Sequence, residues 1–336
     1  MTQPDPPIPR RAVSALLSRY PMSARIAGRL LLSFVLLWAS SVLIFGGIEV
    51  LPGDFATTYL GQSATPQAIA NIRLELGLDQ PVVTRYLDWL AGIARGDFGR
   101  SWASGQPIAE QLGHRLGNSL LLAAAAAVIA VPLAVGLGIV AVIFRDRLID
   151  RLINILSLAA VSLPEFFIAY LLILVLVVQH PMAAFPATIY GGMSLFEKLH
   201  TIALPVATLV LVCIAHMMRM TRAALLNVLS APYMETATLK GLSRLRAIFV
   251  HATPNALAPI INVVALNLAY LVVGVVVVEV VFVYPGMGQY MVDAVTVRDL
   301  PVVQACGLVF AAIYIALNMI ADVLSILVNP RLRHPR

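Results

Sequence analysis

Charged side chains are scarce in this chain of 336 residues: Asp, Glu, Lys and Arg make up 12% of it, about half the share usual in soluble proteins. Apolar residues make up 60%, and the mean hydropathy is +0.88. This composition excludes a soluble enzyme, an intrinsically disordered chain and a disulfide-stabilised scaffold. Several charge-free runs are long enough to cross a bilayer, so the sequence indicates an integral membrane protein.

The sequence also lacks the motifs of catalysis and metal binding. Its two cysteines, Cys213 and Cys306, lie in separate apolar runs, and no two of its six histidines have the i, i+4 spacing of a metal site. His-Glu-x-x-His, Gly-x-Ser-x-Gly and a phosphate-binding glycine loop followed by lysine are all absent. We therefore expect no catalytic residue, no metal site and no cofactor in this chain, and any ATP-driven activity requires ATP bound by another subunit.

Six apolar runs are long enough to span a membrane, which predicts an all-α membrane protein with six transmembrane helices. The predicted spans are Leu30–Ile48, Leu116–Phe144, Leu152–Val178, Ile202–Met218, Asn255–Val283 and Pro301–Val328. They leave tails at residues 1–29 and 329–336 and a long connection at residues 49–115.

The distribution of basic residues predicts the orientation. If the N-terminus is cytoplasmic, 16 Lys and Arg residues lie on the cytoplasmic side and seven on the other side. Since cytoplasmic loops are enriched in Lys and Arg, both termini are expected in the cytoplasm and residues 49–115 outside it.

The long connection at residues 49–115 has amphipathic stretches that predict short helices. Trp89, Trp102 and interleaved leucines offer apolar surface to bury, which favours a small folded cap over the alternative, a solvated linker.

The cytoplasmic connection at residues 222–254 has the signals of a short helix over 232–240. Ser230 and Pro232 suit a helix start, and Glu235 falls in the first turn. Lys240 and Gly241 match the last turn and the stop.

Ser243 then predicts a second short helix running towards Pro254. The pair is too polar to insert, and it either lies across the cytoplasmic mouth of the bundle or rests among lipid headgroups.

Three acids fall within the predicted spans, where a charge is costly. Glu165 follows Pro164 near the middle of the third span, so it either faces a water-filled substrate path or is neutralised by a proton or a basic partner. Glu279 and Asp322 lie near span ends, where interfacial packing is favoured.

Asn255, Pro259 and Asn262 share one face of the fifth span. Such a polar stripe either joins helices or lines a path. The candidate path residues are Glu165, Asn255, Asn262 and Glu279, although interfacial packing is the favoured role of Glu279.

The order of several motifs resembles the permease subunits of bacterial ABC importers, in the branch that serves peptides, oligopeptides and nickel. The resemblance covers the chain from about Ala27 to its end. The matching motifs are Leu51-Pro52-Gly53-Asp54, Leu76-Gly77-Leu78-Asp79-Gln80-Pro81, Gly96-Asp97-Phe98-Gly99-Arg100-Ser101, Tyr233 to Gly241 with Asn255-Ala256-Leu257-Ala258-Pro259, Glu279 with Phe282 to Gly288, and Asn329-Pro330-Arg331.

The resemblance implies a type I ABC importer permease fold: a transmembrane core at 116–328, the cytoplasmic coupling loop at 222–254, and a small periplasmic helical cap. The family's Glu-Ala-Ala-x-x-x-Gly signature docks into the ATPase subunit, and Thr236 departs from it here. The implied coupling residues are Tyr233, Glu235, Thr236, Ala237, Lys240 and Gly241.

The resemblance further implies a place in the bacterial inner membrane beside a second, homologous permease. Two ATP-binding subunits would hold ATP and Mg, and a periplasmic binding protein would deliver a peptide or similar solute. The alternatives are a self-sufficient proton-coupled carrier or channel using Glu165, and a scaffold without transport.

Overall fold

The computed structural model describes residues 21–50, 55–180 and 183–328, and within these ranges it contains helices and no β-strand. The motif at Leu51–Asp54, most of the predicted N-terminal tail and the tail at 329–336 with its Asn329-Pro330-Arg331 motif lie outside the described residues. The α-helices are α1 (Pro21–Val50), α2 (Phe55–Leu60), α3 (Pro66–Glu75), α4 (Val82–Ala94), α5 (Ile108–Ile143), α6 (Leu148–Ser162), α7 (Glu165–Ile173), α8 (Leu195–Thr201), α9 (Ala203–Leu229), α10 (Pro232–Leu239), α11 (Arg244–Arg246), α12 (Thr253–Val281), α13 (Met287–Thr296) and α14 (Leu300–Val328).

Five continuous helical stretches are long and apolar enough to cross a membrane, and a bent pair passes the same test together, which makes six when the pair is counted as one span. The five are α1, α5, α9, α14 and the stretch Arg244–Val281, in which a π-helical turn at Ala247–Ala252 joins α11 to α12. The prediction of an all-α protein with six crossings is confirmed.

Two boundaries differ from the prediction around the 222–254 connection. Helix α9 continues past Met218 to Leu229, so the connection begins at Ser230. The predicted second short helix after Ser243 is the first part of the fifth crossing, because α11 and the π-turn continue without a break into α12.

The third crossing is broken, whereas the sequence predicted one helix over Leu152–Val178. Helices α6 and α7 meet at an angle of 100°. Proline restricts the residue before it to extended backbone, and Leu163 has φ −92° and ψ 133°. Pro164 is itself extended and precedes the first turn of α7. The break therefore follows directly from the Leu163-Pro164 pair.

Small residues at four-residue intervals on α5 form its buried face against α9. Ala126, Ala130 and Ala134 have no exposed surface, and Gly138 continues the row. At Gly138 the two helices are so close that an added Cβ atom would lie 2.9 Å from the side chain of Thr221 on α9. Helices in lipid associate through such close backbone approach, so this row positions α9 in the bundle.

Ion pairs tie the helices together at the end of the bundle that bears α10, called here the α10 end. Arg222 of α9 donates to both carboxylate oxygens of Asp150 on α6, at 2.9 and 2.8 Å. Asp150 is almost completely buried and also accepts from Asn154. Arg29 of α1 pairs with Asp322 of α14 at 2.7 Å.

Residues 55–107 form a folded cap at the opposite end, called the cap end. The ring of Phe45 on α1 lies 5.4 Å from that of Tyr86 and 5.7 Å from that of Trp89. Asp299, just before α14, accepts hydrogen bonds from the Ser101 hydroxyl and the backbone amides of Trp102 and Ala103. The cap is therefore a packed unit and not a solvated linker, because α4 packs on α1 and residues 101–103 bind the residue before α14.

We expect Gly138→Ala to lower the free energy of unfolding by about 1–3 kcal/mol, because the new methyl group must push α5 away from Thr221. Gly136→Ala is the matched control, since its Cβ atom would meet nothing within 4 Å and the change raises helix propensity. Thermal unfolding in detergent measures both. Equal effects of the two substitutions would contradict close packing at Gly138.

Candidate functional site

A cavity of about 500 Å³ opens at the break between α6 and α7. Its other walls come from α9 and α12, and most of its lining is apolar. The polar or ionisable groups in the lining are Glu165, Cys213, His216, Asn267 and Tyr270. The cavity therefore lies where the bent third crossing leaves space between itself and the fourth and fifth crossings.

Glu165, a predicted path residue, is part of the cavity wall. Its half-buried side chain stands at the first turn of α7, against Gly274 of α12, where an added Cβ atom would lie 3.5 Å from both carboxyl oxygens. Within the ranges that the structure describes, no hydrogen bond or ion pair engages this carboxyl group. The structural alternative of a basic partner is thus without support in the described residues.

Three further polar side chains in the cavity were missed by the sequence analysis. Asn267 is 7% exposed and donates to the Val263 carbonyl at 2.8 Å, while His216 and Tyr270 are exposed. They are far from Glu165 in sequence and isolated within apolar runs, so no local pattern links them. Only the bend of the third crossing brings α7 towards them.

Asn255 and Asn262 do not line this cavity, although both are exposed. They lie on the same face of α12 as Leu266, which is in the cavity wall, because offsets of four, seven and eleven residues bring side chains into register. The Asn255 amide donates to the His251 carbonyl at 2.7 Å. The two amides therefore extend the cavity-facing side of α12 towards the α10 end.

Glu279, the fourth predicted path residue, is fully buried and lines no part of this cavity. Its carboxylate accepts hydrogen bonds from the Ser119 hydroxyl and from the backbone amides of Gly288 at 2.7 Å and Gln289 at 3.2 Å. The Ser119 oxygen in turn accepts from the Met287 amide at 2.8 Å. Glu279 thus caps α13 and lies outside the cavity that Glu165 lines, in keeping with the packing role favoured for it from the sequence.

The turn between α12 and α13 is fixed by the same contacts. The Tyr284 hydroxyl donates to the Asn118 carbonyl at 2.8 Å, and the Asn118 amide donates to the Pro285 carbonyl at 2.9 Å. Burial raises the pKa of the Tyr284 phenol above its ordinary value, and the nearby Glu279 adds to the rise, so the hydroxyl keeps its proton. At Gly286 the Glu279 carboxyl group occupies the space a side chain would need.

The predicted coupling residues lie together on α10 and its C-terminal turn. Met234 is 2% exposed and anchors the helix, whereas Tyr233 and Leu239 are 47% and 89% exposed. Glu235, Thr236, Lys240 and Gly241 are also exposed, Ala237 is half-buried, and α10 ends at Leu239, one residue earlier than predicted.

The end of α10 depends on Gly241, whose φ of +83° is in the left-handed region. The Leu242 amide donates to the Ala237 carbonyl across this turn at 3.3 Å. Ser230 does not cap α10 as predicted, because its hydroxyl donates to the Leu226 carbonyl at the end of α9.

We expect Glu279→Ala to destabilise the protein by about 1–3 kcal/mol for each buried donor left without an acceptor. Glu110→Ala is the matched control, because Glu110 is exposed near the start of α5. Thermal unfolding in detergent compares the two. A stable Glu279→Ala protein would show that the carboxylate does not hold the cap end together.

Comparison with known proteins matches nearly the whole chain. Residues 130–334 match the family described as binding-protein-dependent transport system inner membrane component. Residues 22–123 match the family described as binding-protein-dependent transport system membrane component, N-terminal.

Two individual relatives, both named as permeases, are similar over most of the chain. A probable peptide ABC transporter permease of Sinorhizobium fredii is 34% identical over 316 residues, which cover 93% of this chain and 100% of the relative. The glutathione transport system permease GsiC of Escherichia coli is 37% identical over 298 residues, covering 89% of this chain and 95% of that protein. The chain belongs to the family of binding-protein-dependent transport system inner membrane components and is a membrane subunit of an ABC importer.

Proposed function

We propose that this chain forms half of the translocation path of an ATP-driven importer and that α10 couples the path to ATP hydrolysis. The observation that carries the proposal is α10 itself: a short helix at one end of the bundle, anchored by Met234, with Tyr233 and Leu239 exposed. Exposed apolar side chains on a short helix that is anchored by a buried residue suit a docking contact with another subunit. The chain has no nucleotide-binding motif, so the energy must come from that subunit.

The proposed complex contains a second homologous permease, two ATP-binding subunits that hold ATP and Mg, and a periplasmic binding protein. The solute is a peptide or a similar small molecule, in line with relatives named for peptide and glutathione transport. The bilayer is the bacterial inner membrane, with both termini and α10 cytoplasmic and the cap periplasmic. The excess of Lys and Arg on the α10 side supports this orientation.

The contacts of α9 supply a route from α10 to the cavity. Helix α10 follows α9 after two residues, so displacement of α10 acts on the end of α9. The Arg222–Asp150 pair joins this part of α9 to α6, and α6 ends at the break beside Glu165. Closure of the ATP-binding subunits would therefore shift α6 relative to α7 and change access to the cavity.

We expect Gly241→Val to reduce uptake severalfold while basal ATP hydrolysis by the reconstituted complex continues, because valine strains the left-handed turn that ends α10. Gly192→Val is the matched control: Gly192 has φ +91°, is equally free of neighbours, and lies in the connection between the third and fourth crossings. Solute-stimulated ATPase activity and uptake are measured together. Unchanged coupling in Gly241→Val, or equal loss in both variants, would contradict the role of α10.

A reporter fused after Trp89 is expected in the periplasm and one fused after Lys240 in the cytoplasm, because 16 of the 23 basic residues lie on the proposed cytoplasmic side. Alkaline phosphatase and green fluorescent protein fusions at both positions measure this. The opposite pattern would reverse the proposed orientation.

A further inference from the structure

We propose that the cavity at the break between α6 and α7 binds a protonated amine of the transported solute, and that Glu165 is the group that selects it. This inference rests on the proposed function, and it adds the chemical class of the solute. The amine is the terminal ammonium of a short peptide or another primary amine.

The charge of the cavity favours a cation. Among the described residues that line it, Glu165 is the one acid, and none is Lys or Arg. A carboxylate within a membrane span is costly unless it is paired or faces water, at roughly 2.5–3.5 kcal/mol near the helix centre. The other two acids of the spans have partners: Asp322 pairs with Arg29, and Glu279 accepts three hydrogen bonds. Glu165 has no such partner among the described residues, so a cation in the cavity can pair with it.

The wall of α12 leaves space beside the carboxyl group. Because Gly274 has no side chain, there is room next to both carboxyl oxygens, which a methyl group at that position would already touch. A larger residue in place of Gly274 would cover the acid. The carboxyl group is thus accommodated by α12 without being sealed by it.

The remaining groups of the lining also suit an amine. The exposed ring of Tyr270 and the imidazole of His216 lie in the same lining, and both aromatic faces and neutral polar atoms suit an ammonium group. The rest of the lining is largely apolar. A volume of about 500 Å³ is in the range of small-molecule sites and accommodates a short peptide or a comparable amine.

The test compares two solutes that differ in one charge: an amine-bearing peptide and its N-acetyl derivative, each offered to the reconstituted complex with its partner subunits. In Glu165→Gln, we expect uptake of the free amine to fall by about tenfold relative to the native protein, the size of effect expected when a charge-assisted contact is lost. Uptake of the acetylated peptide is expected to stay at its native rate. Glu110→Gln, which removes an exposed acid, is the matched control and is expected to change neither rate.

The amount of assembled complex and its basal ATPase activity are measured for each variant, so that rates are expressed per complex. An equal fall for both peptides, or no fall for either, would overturn the selection of an amine by Glu165. The selection would also be overturned if the unsubstituted complex took up the acetylated peptide but not the peptide with a free amine. If the native complex transports no solute at all, the proposed function itself fails, and Glu165→Gln is not needed to show it.

Discussion

Close approach of α5 and α9 is the constraint on which the rest of the bundle depends. Lipid supplies no hydrophobic drive for one helix to join another, so contact between backbones must hold the pair. The row from Ala126 to Gly138 provides it, because only methyl groups and a glycine on α5 separate its backbone from α9. Once α9 is fixed, its Arg222 positions α6, and its middle part forms a wall of the cavity. On the other side, α5 brings Ser119 to Glu279 and so fixes the turn at the cap end.

The three acids within the spans differ in whether other groups of the protein compensate their charge. Two of them have partners: Asp322 pairs with an arginine, and Glu279 accepts hydrogen bonds from a serine and two backbone amides. Glu165 faces the cavity without such partners among the described residues. Since a membrane protein gains nothing in stability from an unpaired acid, this difference between Glu165 and the other two acids is the basis for proposing that the cavity binds a solute.

Much of the fold follows from the sequence, because length and hydropathy alone define a membrane helix. They predicted six crossings. Aromatic residues to bury predicted the cap, and capping signals predicted the short helix over 232–240, which ends at Leu239. The site was only partly predictable. Glu165 was found because an acid beside a proline is unusual at that depth, but Asn267, His216 and Tyr270 gave no local signal. The break in the third crossing has a local cause in Leu163-Pro164, but its angle of 100° could not be derived from periodicity. The capping role of Glu279 could not be derived either, because it depends on a turn nine residues away.

The proposed coupling through α10 requires that this chain transports solute only together with ATP-binding subunits. Uptake into proteoliposomes measures it directly, with the purified chain alone in one preparation and the complete complex with its binding protein and ATP in the other. We expect uptake in the complete preparation and none with the chain alone, whatever the proton gradient. Solute uptake by the chain alone, driven by a proton gradient, would contradict the account and identify a self-sufficient carrier.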